Sequence, residues 1–198
     1  MPRTKGAGHS RATIDKAAGL SKLLSQHVAT VKKILGKPEY SGYPPIYHYI
    51  DAYAGPGYNE AEQCDGSPVI FLKTAKLLDV NYRAWFVEKD ASLSTKLSRQ
   101  IKGFGDCEVL KGDNAIVVPQ IARSLPDNAY GLLYADPNGI PNFEMLSRVS
   151  MIPKLKKFDI LIRYNAMAVK RNEFQTGEKM LDLLSKINKK CKVDRTSG

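Results

Sequence analysis

The chain has 198 residues, 43% hydrophobic and 25% charged, which suits one globular domain with a sizeable core rather than two. No stretch approaches the roughly 20 apolar residues of a membrane span, and the basic start MPRTKGAGHSR has no apolar run behind it, so neither a spanning segment nor a secretory signal is expected. The formal charge of +10 is uneven: residues 1–37 carry eight Lys/Arg against one Asp and residues 151–198 carry twelve against five Asp/Glu, +7 each, while residues 38–150 carry ten against fourteen, −4.

Residues 1–12 read as a basic flexible tail, residues 13–190 as the folded domain and residues 191–198 as a second tail. From Ile14 to Leu35 apolar residues recur at 14, 17, 18, 24, 28, 31 and 35, a helical stripe closed by Gly36 and Pro38. IYHYIDAYA, rich in β-branched and aromatic residues and ending at a glycine turn, predicts a strand. Ser67-Pro68 predicts an N-cap and first turn for a helix to about Leu78. YRAWFVE predicts a strand, and Asp90 the cap of a helix ending near Gly103. CEVLKGD follows as a short strand, with a helix over about Pro119 to Ser124. AYGLLYADP is an apolar strand ending on an acid, with a helix over about Phe143 to Met151. FDILIRYN is a fifth strand, and a last helix is expected over about Thr176 to Lys190. Strands alternating with helices five times imply an α/β fold with a doubly wound, mostly parallel sheet of about five strands and an added N-terminal helix. Ligands of such sheets sit beyond the carboxyl ends of the strands, where strand order reverses.

Four of those ends carry acids: Asp51, Glu88, Asp113 and Asp136. Singly, each could cap the following helix. Together at one sheet edge they form a cluster of like charge, which costs stability unless a ligand or donors offset it. Gly55 and Gly57 let the backbone approach a ligand closely. The dinucleotide fingerprint fails, because its third glycine is Glu60 and its ribose acid would lie about 20 residues on, whereas Glu88 is 31 residues after Gly57. No GxxxxGK[ST] loop occurs. A glycine turn beside an acid suits a cationic ligand rather than a pyrophosphate, and S-adenosylmethionine, with its sulfonium and amino group, would be matched by Asp51. Cys64, Cys107 and Cys191 lack CxxC spacing and no histidine pair accompanies them, so neither a disulfide framework nor a metal site is expected, and reduced thiols in the cytoplasm are.

The order DAYAGPG, FVEKD, GDN, ADPNG resembles the motif series of class I S-adenosylmethionine-dependent methyltransferases, whose Rossmann-like sheet the alternation matches. With the leading helix and the GSP helix start, residues 14–165 resemble the three-Cys-motif partner family. The resemblance implies that Asp51, Ala54, Gly55 and Gly57 contact the methionine part of the cofactor, that Glu88 accepts from the ribose hydroxyls, and that Asp113 and Asn114 bind the adenine edge. Asp136-Pro137-Asn138 resembles the [DNS]PP[YF] turn of amino-methyltransferases, which implies a catalytic role in holding a target NH2. Asn138 replaces the second proline and Gly139 the aromatic, so the acceptor survives and the stacking platform does not; Tyr134, Phe143 and Tyr164 are candidate substitutes. No cysteine follows a proline, which argues against cytosine C5 chemistry. Most tyrosines near the glycine turn, Tyr40, Tyr43, Tyr47, Tyr49, Tyr53 and Tyr58, read as packing groups, and KLKK at 154–157 as a solvated helix face.

The usual antiparallel hairpin after the fifth strand is missing, so the sheet is either a minimal one or the chain is a C-terminally shortened fragment. The basic ends attract a polyanion such as nucleic acid, or simply keep the surface solvated. Three readings follow: a methyltransferase acting on an amino group, such as one in nucleic acid; a non-catalytic companion of a protein partner in a mobile-element or defence-type system; and a nucleic-acid-binding module on a vestigial methyltransferase fold.

Overall fold

A long amphipathic helix, α1 (Arg11–Leu35), opens the fold and buries Leu20, Leu24, Val28 and Val31. Ala18, expected on the inner stripe, faces solvent, and Leu20 lies inside instead, because 20, 24, 28 and 31 keep the three-to-four spacing of one face. The computed structural model describes residues 11–43, 45–137, 139–163 and residue 185. The expected last helix, Tyr164 and Cys191 therefore lie outside the described residues.

Among the described residues, seven strands and four further α-helices follow: β1 (Tyr47–Asp51), β2 (Tyr58–Asn59), β3 (Cys64–Asp65), α2 (Ser67–Leu77), β4 (Tyr82–Glu88), α3 (Ala91–Gln100), β5 (Cys107–Lys111), α4 (Asn114–Ser124), β6 (Tyr130–Ala135), α5 (Phe143–Ser150) and β7 (Lys157–Ile162). Five strands form one parallel sheet in the order β5-β4-β1-β6-β7. The chain builds outward from β1 to β5, then returns to the other side of β1 for β6 and β7. This is a doubly wound, Rossmann-like arrangement, and strand order reverses between β1 and β6.

Side chains alternate strictly between two cores, as the pleat requires. Tyr49, Phe86 and Leu132 meet α1, α2 and α3 on one face; Ile50, Val87 and Leu133 meet α4 and α5 on the other. Tyr49 stacks on Phe71 at a ring separation of 4.0 Å. Every residue of β1 is buried, as a central strand covered on both faces should be.

Three local expectations are corrected. The N-cap of α2 is Gly66, with Ser67 and Pro68 inside the first turn. Helix α4 begins at Asn114, not near Pro119: Asp113 caps it by accepting from Ala115 N at 2.9 Å, and Pro119 lies in its interior, where it has no N–H to donate. Between β1 and α2 the chain also forms an antiparallel hairpin, β2–β3, an element the sequence did not announce. Lys157 is not on a helix but starts β7, its ammonium 4.1 Å from the Tyr43 ring centre and flanked by Tyr40 and Tyr130. Among the described residues no helix is long and apolar enough to cross a membrane.

Candidate ligand-binding site

The carboxyl ends of β1, β4, β5 and β6 open into one cavity of about 1200 Å³. Its floor is the segment after β1, where Ala54 N donates to Val87 O at 3.0 Å and Ala52 N to Tyr134 O at 2.9 Å, extending the sheet's bonding beyond the strand. Gly55 and Gly57 follow in the left-handed region, at φ +64° and +82°. At Gly55 a Cβ would meet no protein atom within 4 Å, so the turn leaves open space against the cavity it lines. At Gly57 a Cβ would lie 2.7 Å from Leu97 Cδ1, so this glycine exists for contact with α3. Gly66 N donates to Gly57 O at 2.8 Å and closes the base of the hairpin.

Glu88, at the end of β4, fixes this turn. Its Oε2 accepts from Gly55 N at 2.9 Å and its Oε1 from Asp90 N at 2.8 Å. Each carboxylate oxygen has a second lone pair, so the group can still accept two further hydrogen bonds on the cavity side. Asp113 accepts from Ala115 N through Oδ1 and from Lys89 through Oδ2 at 3.1 Å, and these donors hold it below the usual carboxylate range. Asn114 donates to Ala52 O at 3.2 Å, tying the β5 edge to the floor. Asp136 accepts from the Tyr134 hydroxyl through Oδ2 at 2.9 Å. Burial, with the Asp136 charge second, pushes the Tyr134 hydroxyl up, so it remains a donor at neutral pH.

Of the residues singled out in the sequence, Ala54, Gly55, Gly57, Glu88, Asp113, Asn114, Asp136 and Pro137 all line this one cavity. Asp51 does not. It is fully buried; Oδ1 accepts from Tyr53 N at 3.1 Å, and Oδ2 is without a hydrogen-bond partner, with the Ser67 side chain near the carboxyl. Burial pushes its pKa up to about 7 against the opposing Ser67 and Tyr53 contacts, and the charges of Asp136 and Glu88 add to the rise. Asn138 lies outside the described residues. Tyr134 and Phe143, offered as stacking platforms, are core residues off the wall. The aromatic walls are Tyr53 and Tyr58, which had read as packing groups; Tyr53 OH accepts from Asn142 N at 3.2 Å, which holds its ring against the β6–α5 loop. Their position beside the glycine turn was the available signal. Lys96 and Arg99 on the wall carried none, because only the hairpin brings that face of α3 into the cavity. Among the described residues no group of three or more His, Cys, Asp or Glu is arranged to hold a metal ion.

No family model and no curated protein matches the chain. Among solved structures, an rRNA methylase from Streptococcus thermophilus aligns over 76% of this chain and 71% of its own, at 10% identity and a TM-score of 0.40.

Proposed function

We propose that the cavity binds S-adenosylmethionine and that the protein is a methyltransferase acting on an amino group in nucleic acid. The observation that carries this reading is the convergence of Glu88, Asp113 and Asp136 on one cavity around the Gly55 turn. The donor set suits that cofactor. Glu88 has accepting capacity left for two ribose hydroxyls while its backbone bonds keep it from swinging away. Asp113 and Asn114 lie together at the β5 edge for the adenine. The absence of a side chain at Gly55 leaves room for the methionine part, and the net acidity of this part of the wall favours a cationic ligand over a pyrophosphate.

When bound, S-adenosylmethionine supplies an electrophilic methyl group on a sulfonium. Asp136 orients the acceptor by accepting its N–H, because Tyr134 occupies only Oδ2. Tyr53, held against the β6–α5 loop through Asn142 N, supplies the flat face that Gly139 lacks. Much of the acceleration would come from holding the two reactants in line, which intramolecular reactions show to be worth about 7–11 kcal/mol.

Calorimetric titration with S-adenosylmethionine and S-adenosylhomocysteine tests the cofactor assignment. Micromolar binding that weakens at least about tenfold in Glu88→Ala is expected, since two charged-acceptor bonds are lost; absence of binding to the wild type at millimolar cofactor would overturn it. Asp136→Ala should then abolish transfer to nucleic acid while cofactor affinity stays within a few-fold. A companion protein without turnover remains the second reading, favoured by Gly139, and cofactor binding without transfer to any nucleic acid would select it.

A further inference from the structure

The cavity exceeds the roughly 300–1,000 Å³ that encloses one small ligand. Its wall divides at the glycine turn into two parts of opposite character. Around Glu88, Asp113 and Asp136 the wall is acidic on balance, with Lys89 paired to Asp113. Beyond Gly57, an arm runs between the β2–β3 hairpin and α3, and there the wall carries Tyr58, Asn59, Glu60, Lys96, Arg99 and Gln100.

This arm is built. Gly66 and Gly57 hold the hairpin base, and Gly57 lies tight against Leu97 and Gln100 of α3. Asn59 Oδ1 accepts from Ala61 N at 3.1 Å and Glu62 N at 3.2 Å, which fixes the hairpin turn above the helix. Lys96 and Arg99 are three residues apart on α3, so their side chains emerge as neighbours on one face. Arg99 has no carboxylate within ion-pairing distance among the described residues. Lys96 meets only Glu60, at 3.6 Å, with both side chains more than half exposed. Such pairs contribute little and exchange readily for a better anion. Two cations on one helix face, a tyrosine ring beside them, and continuity with the cavity that would hold the methyl donor make a site for a phosphodiester with a stacked base.

The geometry points to this arm as a phosphate-binding subsite through which a single-stranded nucleic acid reaches the cavity, Lys96 and Arg99 holding its phosphates and Tyr58 stacking on a base. As a statement about the methyl acceptor it rests on the function proposed above; as a statement about binding it does not. A free nucleotide offers the same phosphate chemistry. The strand is favoured because the chain's two basic ends, +7 each, attract a long polyanion more strongly than a single nucleotide.

The test is fluorescence anisotropy of a labelled single strand of about 12 nucleotides against the full chain over a salt series, with Lys96→Ala/Arg99→Ala, Tyr58→Ala, and the charge-matched control Lys76→Ala/Arg123→Ala, exposed on α2 and α4 away from the cavity and from both basic ends. Circular dichroism melts establish that each variant folds; Lys96 and Arg99 are exposed and alanine is a good helix former. The expected result is about a tenfold loss in the first pair, with a salt slope shallower by about 1.4, two phosphates at about 0.7 each. Tyr58→Ala should weaken binding several-fold at unchanged slope, and the control should stay within about twofold. Equal losses in both pairs, no binding by the wild type, or competition by a nucleoside monophosphate as effective as the strand would each overturn the assignment. Titration of the wild type with S-adenosylmethionine separates the two failures, since loss of the cofactor reading leaves the strand-binding result unaffected.

Discussion

Asp51 is the residue whose chemistry departs most from its sequence context. A strand-end acid beside a glycine turn suggests a direct ligand contact, yet the carboxyl is fully buried with Oδ2 unpartnered, close to the charges of Asp136 and Glu88. Tyr49, Tyr134 and Ser67 face the same pocket of charge, and burial together with the Asp51 charge pushes the Tyr49 hydroxyl up as well. The folded value of Asp51, about 7, lies above the unfolded one, so between the two the native state keeps a proton that the unfolded chain releases. Its contribution to stability is complete below about pH 4 and is lost as the pH rises through about 7, on the order of 4 kcal/mol in all. Urea denaturation of the wild type should show stability falling between about pH 5 and about pH 8, with the slope flattened in Asp51→Asn. Parallel pH profiles in the two proteins would mean that the carboxyl is ionised throughout.

At the scale of elements, the glycine turn and its hairpin separate two jobs that the sequence presents as one motif. Gly55 and Gly57 share a left-handed conformation, but only Gly57 is pressed against α3. Gly57→Ala should destabilise the fold by about 3 kcal/mol, from the strained φ and the overlap with Leu97. Gly55→Ala should cost only about 1 kcal/mol, because its surroundings are open, and should weaken cofactor binding instead. Denaturant midpoints and calorimetry on the two variants separate these effects; equal stability losses would refute the division. The hairpin also explains why the dinucleotide spacing fails. Helix α2 starts at Ser67, after the hairpin, so no helix N-terminus is presented at the turn where a pyrophosphate would lie.

For the whole molecule, parallel order and two covered faces set a gradient of stability outward from β1. All five residues of β1 are buried between β4 and β6, whereas β5, at the sheet edge, is half open along its length. Amide hydrogen exchange should therefore find β1 opening only with global unfolding and β5 opening locally. Exchange of β1 as fast as β5 would contradict this order. Two contacts tie distant parts of the chain across the sheet: His27 bonds Tyr47 OH at 2.7 Å and Asp159 at 2.8 Å, and Lys157 donates to Tyr43 OH at 2.7 Å within its ring of tyrosines. Neither the His27–Asp159 nor the Lys157–Tyr43 contact could be foreseen, because each joins residues more than a hundred positions apart.

Local signals were enough for the fold. β4 was legible end to end in YRAWFVE, Asp90 as the cap of α3, and the alternation of strands with helices dictated a parallel sheet whose acid-bearing ends share one edge. Those are properties of neighbouring residues: pleat period, capping geometry and the need of a parallel strand for a crossover. Only the tertiary structure decided that Asp51 lies beneath the cavity and not on it, that Tyr53 and Tyr58 form its aromatic walls, and that Lys96 and Arg99 reach it at all. Burial and charge proximity depend on which elements pack together, and a hairpin folded back onto α3 leaves no trace in the spacing of either segment.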